Sequence, residues 1–229
     1  MKLLLASASP ARRQTLIAAG ITPLVQVSNV PEAELLAKLR AQQQNPSPAA
    51  QVQLLASAKA RDIATRLQSF HSPAGDKSAD EHTDPRVIVG CDSMFAFDGE
   101  VVGKPHTPEV SRQRLRRMRG NYGELYTGHC VIDTHTGATA EGISCARVYI
   151  SEMSDAEIEA YISTGEPLVV AGSFTIDGFG GPFVEKIVGD HHGVVGISLP
   201  LLRQLLAKLD LRIIDFWDQA PTAKTSKNN

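Results

Sequence analysis

Apolar positions along this chain follow two periods, and the switches between them mark out the elements. Runs of aliphatic and β-branched residues at Lys2–Ala6, Leu24–Ser28, Val87–Val89, Leu125–Asp133, Thr139–Ser151, Phe183–Val188 and Leu211–Phe216 read as strands. Helical spacing takes over between them. Ser9 as N-cap and Pro10 at the first helical position open a helix that Gly20 stops. Val52, Leu55, Ala56, Ile63 and Leu67 carry a long helix from about Ala49 to Phe70, and Thr107-Pro108 starts another that ends at Gly120. Ser154-Asp-Ala-Glu157 is a capping box for a helix through Ile162, and Leu199–Leu209 is amphipathic. Polar stretches at Arg40–Pro48 and His71–Pro85, the second read as a mobile loop, interrupt this order without marking a domain boundary. The pattern predicts one α/β domain over residues 1–217, followed by a disordered polar tail over 218–229.

Chemistry concentrates between Val87 and Pro105. The buried strand Val87–Val89 leads through Gly90 to Asp92 and Ser93, which the pattern places at the strand's carboxyl end, where open α/β sheets meet ligands. Asp98-Gly99 between Met94–Phe97 and Glu100–Val102 predicts a hairpin with a type I′ turn. That hairpin returns Gly103-Lys104-Pro105 toward Asp92, and a carboxylate beside an ammonium suits phosphate-ester chemistry. Asp92 as a cap on backbone amides and Lys104 as a solvated loop cation are the plainer alternatives. Gly99 to Lys104 is not a phosphate-binding P-loop, because three residues separate its glycines and Pro105 follows the lysine.

Two further segments carry polar groups in suggestive places. Ser7, Ser9, Arg12 and Arg13 crowd a strand-to-helix turn, where free N–H groups and the helix dipole attract anions; a capped helix with a solvated arginine pair is the alternative. Glu32 reads either as a metal or base carboxylate or as a first-turn helix residue. Lys59 and Arg61 ride on the long helix. Asp177 lies in the glycine-rich segment Ala171–Gly181, which lets backbone approach a ligand closely or simply makes tight turns.

Composition removes several classes. A net charge of -2 over 229 residues gives no global basic field for nucleic acid. The arginines at 112, 114, 116, 117 and 119 surround their helix without interleaved aromatics, so they read as a solvated face. No apolar run approaches the ~20 residues of a membrane span, and the apolar start is too short for a signal peptide. Cys91, Cys130 and Cys145, odd in number and each in a strand-like run, read as reduced core residues of a cytosolic protein. His191-His192 reads as a surface turn.

Together the spaced motifs resemble those of the Maf-like nucleotide pyrophosphatases, also called septum formation proteins. Ala6-Ser-Ala-Ser9-Pro10-Ala-Arg12 is similar to the family's Ala-Ser-x-Ser-Pro-Arg-Arg, with Ala11 in place of the first arginine. Glu32, Lys59 within Ala58-Lys-Ala60, Gly90-Cys-Asp92-Ser93, Gly103-Lys104-Pro105, Gly120 with Thr127, Gly165-Glu166-Pro167, Ala171-Gly172, Gly189-Asp190 and Val195-Gly196 follow in the family's order, from Lys2 to about Phe216.

The resemblance implies an α/β fold with a long, mixed, twisted sheet and helices around a central cleft, similar to inosine triphosphate pyrophosphatases. It implies hydrolysis of a nucleoside triphosphate to its monophosphate and pyrophosphate, with a divalent cation, Mg²⁺ or Mn²⁺. Asp92 would act as base or metal-bound carboxylate and Glu32 would help hold the ion. Arg12, Lys59 and Lys104 would bind the triphosphate, with Ser7, Ser9 and Arg13 at the anion turn. Family members acting on dTTP and UTP tend to carry Gly-Ala-Asp-Thr and Ile-Gln-Gly, where this chain has Ser93 and Asp177. An ionised Asp accepts hydrogen bonds only, which suits the exocyclic amine of cytosine or a guanine edge better than uracil. A cytoplasmic homodimer is also implied. The rival reading is a nucleotide-binding regulator of cell division without turnover, which Ala11 favours and the joint presence of Asp92, Lys59 and Lys104 opposes.

Overall fold

The computed structural model of the chain describes residues 1–70 and 84–218. Leu3–Leu5 (β1) leads into Pro10–Ala18 (α1), then Leu24–Val25 (β2), Glu32–Gln42 (α2) and Pro48–Phe70 (α3). Val87–Phe97 (β3) and Glu100–Val102 (β4) form the hairpin, closed by Asp98 at φ 53° and Gly99 at φ 78°, as a type I′ turn demands. Pro108–Met118 (α4), Tyr122–Asp133 (β5), Thr139–Ile150 (β6) and Asp155–Ser163 (α5) follow. Val184–Val188 (β7), His191–Val195 (α6) and Leu199–Ala207 (α7) complete the regular elements.

The seven strands form one mixed sheet in the order β2-β1-β3-β5-β6-β7, with β4 also on β3. β1 pairs in parallel with β2 and β3, and every other pairing is antiparallel. One edge of β3 is bonded to β5 from Val87↔Asp133 to Ala96↔Glu124. Its other edge pairs with β1 only at Val87–Val89 and with β4 only at Phe95–Phe97. Residues 90–94 therefore border a notch in the sheet between two different partners.

Period-two alternation divides β3 between two layers. Val87, Val89 and Cys91 pack with Leu16 of α1 and Leu202, Leu205 and Leu206 of α7, while Phe95 on the same face joins a cluster with α4 and α5. Ile88 faces the other way, against Ala56, Ala60 and Ile63 of α3. A methyl group at Gly90 would lie 2.2 Å from the Ala56 carbonyl oxygen, and one at Gly128 of β5 2.5 Å from that of Val52. These two glycines let the α3 backbone lie directly on the sheet.

Several sequence expectations change. Asp92 and Ser93 stand inside β3, because pairing with β5 carries the strand on to Ala96 and the hairpin pairing with β4 to Phe97; it is the pairing with β1 that stops at Val89. Leu211–Phe216 is not a strand but ends in a 3-10 turn at Ile213–Phe216, its buried positions Leu211 and Phe216 lying five apart instead of alternating. Cys145 is exposed, since its neighbour Ala146 takes the buried face of β6. His191 and His192 open α6, whose N-cap Asp190 accepts from the His192 and Gly193 amides. Asp218 accepts from the amide and hydroxyl of Thr22, at 3.0 and 2.7 Å, and so belongs with the fold. Most of the expected loop (71–83) and the rest of the tail (219–229) lie outside the described residues. No helix among the described residues is long and apolar enough to cross a membrane.

Candidate active site

On one side of the notch stands the turn from β1 into α1. Ser9 caps the helix, and its hydroxyl oxygen accepts from the Arg12 amide at 3.4 Å. The Ser7 hydroxyl oxygen accepts from the Ser9 amide at 3.2 Å and from Arg12 Nη1 at 3.0 Å. Arg12 is buried although charged. Its Nε donates to the Gly196 carbonyl at 2.7 Å and its Nη2 to Ser93 Oγ at 3.0 Å. Three of the five guanidinium donors are thus anchored, and two are left for a ligand. Neither Ser7 nor Ser9 gives its hydroxyl proton to a protein acceptor among the described residues. Uncommitted hydroxyl and guanidinium donors therefore meet at a helix N-terminus, the chemistry of a phosphate site.

Across the sheet plane, Asp92 points to the α3 side. Because α3 lies so close, Lys59 Nζ reaches Asp92 Oδ1 at 2.6 Å and also Glu32 Oε1, on the first turn of α2, at 2.8 Å. Asp92 and Lys59 are buried; the Glu32 side chain is half exposed. Burial raises the Asp92 pKa above its ordinary value, and the facing Lys59 ammonium, with Arg12 beyond it, pulls the other way. One ammonium thus gathers two carboxylates at the notch, opposite the anion-binding turn.

The Maf-like protein family profile matches residues 2–209. This chain belongs to the Maf-like family. A nucleoside triphosphate pyrophosphatase of Salinispora tropica is 47% identical over 230 residues, covering 99% of this chain and 93% of the relative. One of the same name from Nocardia farcinica is 46% identical over 218 residues, or 94% and 96% of the two chains. A solved dITP/XTP pyrophosphatase of Mycobacterium abscessus aligns at a TM-score of 0.30 and 13% identity, over 67% of this chain and 76% of that one, too loosely to bear on the fold.

Not every Maf-like motif residue joins the cluster. Lys104 follows β4 but is exposed and makes no ion pair with Asp92. Lys59, from the opposite layer, supplies the ammonium that the hairpin was expected to return. Arg13 points outward, and Ala11 is half-buried beside Arg12. Asp177 is exposed on the loop between the 3-10 turns Ala171–Ser173 and Gly181–Phe183. That loop is organised by Glu166, which had no role in the sequence reading. Glu166 accepts from the Tyr161 hydroxyl at 2.8 Å, the Thr175 hydroxyl at 3.1 Å, and the Phe179 and Gly180 amides, both at 2.9 Å. Thr127 and the carbonyls of Gly193 and Gly196 join the site through contacts that no local pattern reveals, since a carbonyl has no signature in a sequence. A groove of about 660 Å³, lined in part by Ala96, Phe97, Tyr122, Glu124 and Tyr126, lies farther along the hairpin and includes none of the charged cluster.

Of the five arginines from Arg112 to Arg119, four form ion pairs, and Arg114 donates to the Gly103 carbonyl. Arg112 bonds Glu159, Arg116 and Arg119 bond Asp155, and Arg117 bonds Asp98. The ion pairs tie α4 and its C-cap Arg119 to α5 and to the hairpin tip.

Proposed function

We propose that the notch hydrolyses a nucleoside triphosphate to its monophosphate and pyrophosphate by attack of water at the α-phosphorus. The observation that carries this is the buried Asp92, held by Lys59 across from the Arg12–Ser7–Ser9 anion turn. The names of the relatives support the reaction class. Arg12, the two serines and the first amides of α1 bind the phosphate chain and take up the charge that grows on leaving pyrophosphate. Asp92, on the far side of the notch, accepts the proton of the attacking water. Lys59 keeps that carboxylate ionised against its burial.

A divalent cation fits this set. Asp92 and Glu32 supply hard oxygen donors on either side of Lys59 Nζ, and Mg²⁺ is commonly held by one or two carboxylates with phosphates and water completing its shell. No group of three or more His, Cys, Asp or Glu side chains suited to a metal occurs among the described residues, so the substrate's phosphates would have to supply ligands. When bound, such an ion would supply Lewis-acid stabilisation of phosphate charge. Lys104 and Arg13, both exposed, are left as phosphate contacts from the mouth of the notch. Asp177 on its glycine-rich loop is proposed to read the base. A cytoplasmic homodimer without nucleic-acid or membrane partners belongs to the same proposal and rests on the family resemblance.

Product analysis in ¹⁸O-labelled water tests the point of attack. Monophosphate carrying the label, with unlabelled pyrophosphate, supports it; label in the pyrophosphate, or diphosphate with inorganic phosphate, would overturn it.

A further inference from the structure

We infer that Thr127, which is fully buried and touches no ligand space, is a positioning residue for Arg12, acting through Ser93. The direction of each hydrogen bond in this chain is forced. The Gly193 carbonyl only accepts, so Thr127 Oγ1, 2.8 Å away, must give it its single proton. The Ser93 and Thr127 hydroxyls are 2.8 Å apart, so Ser93 must donate to Thr127. Ser93 then has only lone pairs for its second partner, Arg12 Nη2 at 3.0 Å, which only donates. The relay runs Arg12 to Ser93 to Thr127 to the Gly193 carbonyl, with one proton at every step. The same α6 segment anchors the other side of the guanidinium through the Gly196 carbonyl.

Ser93 therefore presents an acceptor to Arg12 and no donor to a nucleotide. Its place in the site is to fix the plane of the guanidinium, not to read a base. Register explains why the relay is available: Ser93 and Thr127 are directly opposite on β3 and β5, where cross-strand hydroxyls pair readily. Without the Thr127 hydroxyl, Ser93 is free to turn its proton toward Arg12, and the guanidinium loses an anchor while keeping its charge.

The inference rests on the proposed role of Arg12 in holding phosphates, and its test is read without turnover. Binding of inorganic tripolyphosphate with Mg²⁺ is measured by calorimetry for the full chain and for Thr127→Val, Thr127→Ser and Ser93→Ala. Thr127→Val and Ser93→Ala should each weaken binding about tenfold, the loss of one hydrogen bond to a charged group. Thr127→Ser should bind within about twofold of wild type. In an Arg12→Lys background, Thr127→Val should have no further effect, since a lysine cannot use the fork that Ser93 orients. Wild-type affinity in Thr127→Val, or an undiminished loss in the Arg12→Lys background, would overturn the relay. Should Thr127→Val not fold, the more accessible Ser93→Ala carries the same test, and unchanged binding there overturns it equally. No tripolyphosphate binding by the wild-type chain also overturns it, whereas binding without turnover would overturn only the proposed reaction.

Discussion

Lys59 Nζ lies 2.6 Å from Asp92 Oδ1, with both side chains buried between α3 and the sheet. The pair exists because Gly90 and Gly128 remove the side chains that would hold α3 away. Two opposing effects meet in Asp92. Burial favours its neutral form, and Lys59 favours the carboxylate. The net direction is upward from the ordinary carboxylate value, the direction that favours a general base.

Removing the lysine takes away the largest influence opposing burial and leaves only the weaker pull of Arg12. Lys59→Met should push Asp92 higher still and move the acidic limb of the pH–rate profile to higher pH, besides lowering the maximal rate. Profiles of kcat for wild type and variant check this; a limb that stays in place would mean that Lys59 does not govern Asp92.

Gly90→Ala tests the close approach itself. The new methyl would lie 2.2 Å from the Ala56 carbonyl oxygen and 2.8 Å from the Ala60 amide nitrogen, backbone that no rotamer change can move aside. Overpacking of this kind costs about 1–3 kcal/mol. Denaturant unfolding should show that loss, and kcat should fall with it as Lys59 is lifted from Asp92. Full activity in a destabilised variant would separate α3 packing from the chemistry.

His129 supplies a pH signature of the fold. Its Nε2 accepts from the Ser198 amide at 2.9 Å, and its Nδ1 donates to the Thr127 carbonyl at 3.1 Å, so it is buried neutral. Burial lowers its pKa from 6.5 to about 4. A lowered folded pKa gives stability that is fully present above 6.5 and lost as the pH falls toward 4, on the order of 3 kcal/mol in all. The stability difference between wild type and His129→Gln should shrink by that amount over this window. A constant difference would show that the imidazole can be protonated in place.

Asp177 carries the proposed choice of base. Replacing an acceptor-only carboxylate with an amide that also donates should shift relative turnover toward UTP and dTTP in Asp177→Gln. Equal relative turnover across bases in both proteins would remove Asp177 from base recognition.

Much of the fold was legible because it is written in local patterns: the caps at Ser9, Thr107 and Ser154, the Asp98-Gly99 turn, and the long strand-like runs of β5 and β6. What was not legible depends on pairing. Whether β3 stops at Asp92 or runs on is decided by β5, whose partners for Ser93 to Ala96 (Thr127 to Glu124) lie 34 to 28 residues away in sequence. The charged cluster was half visible. Asp92 and the Ser9–Arg12 turn stood out, but the ammonium expected from Lys104 comes from Lys59, since hairpin geometry is local and the height of α3 over the sheet is not. The carbonyls that cradle Arg12 are anonymous in any sequence, and Glu166, visible only as part of the Gly165-Glu-Pro167 motif, shows its role once the loop closes around it.

Asp92→Asn, assayed for pyrophosphate release across nucleoside triphosphates with Mg²⁺ or Mn²⁺, tests the central claim most directly. The variant should remain folded. A raised folded pKa means that the stability Asp92 contributes is present below its ordinary pKa near 3.8 and lost as the pH rises through the folded value, so Asn is tolerated at neutral pH. Wild type should release pyrophosphate from one or two of the nucleotides, and the folded variant should lose on the order of 10²–10⁴ of that rate while still binding tripolyphosphate. Turnover surviving in folded Asp92→Asn would contradict a base at this position. No release by wild type from any nucleotide, with binding intact, would leave a nucleotide-binding regulator in place of an enzyme.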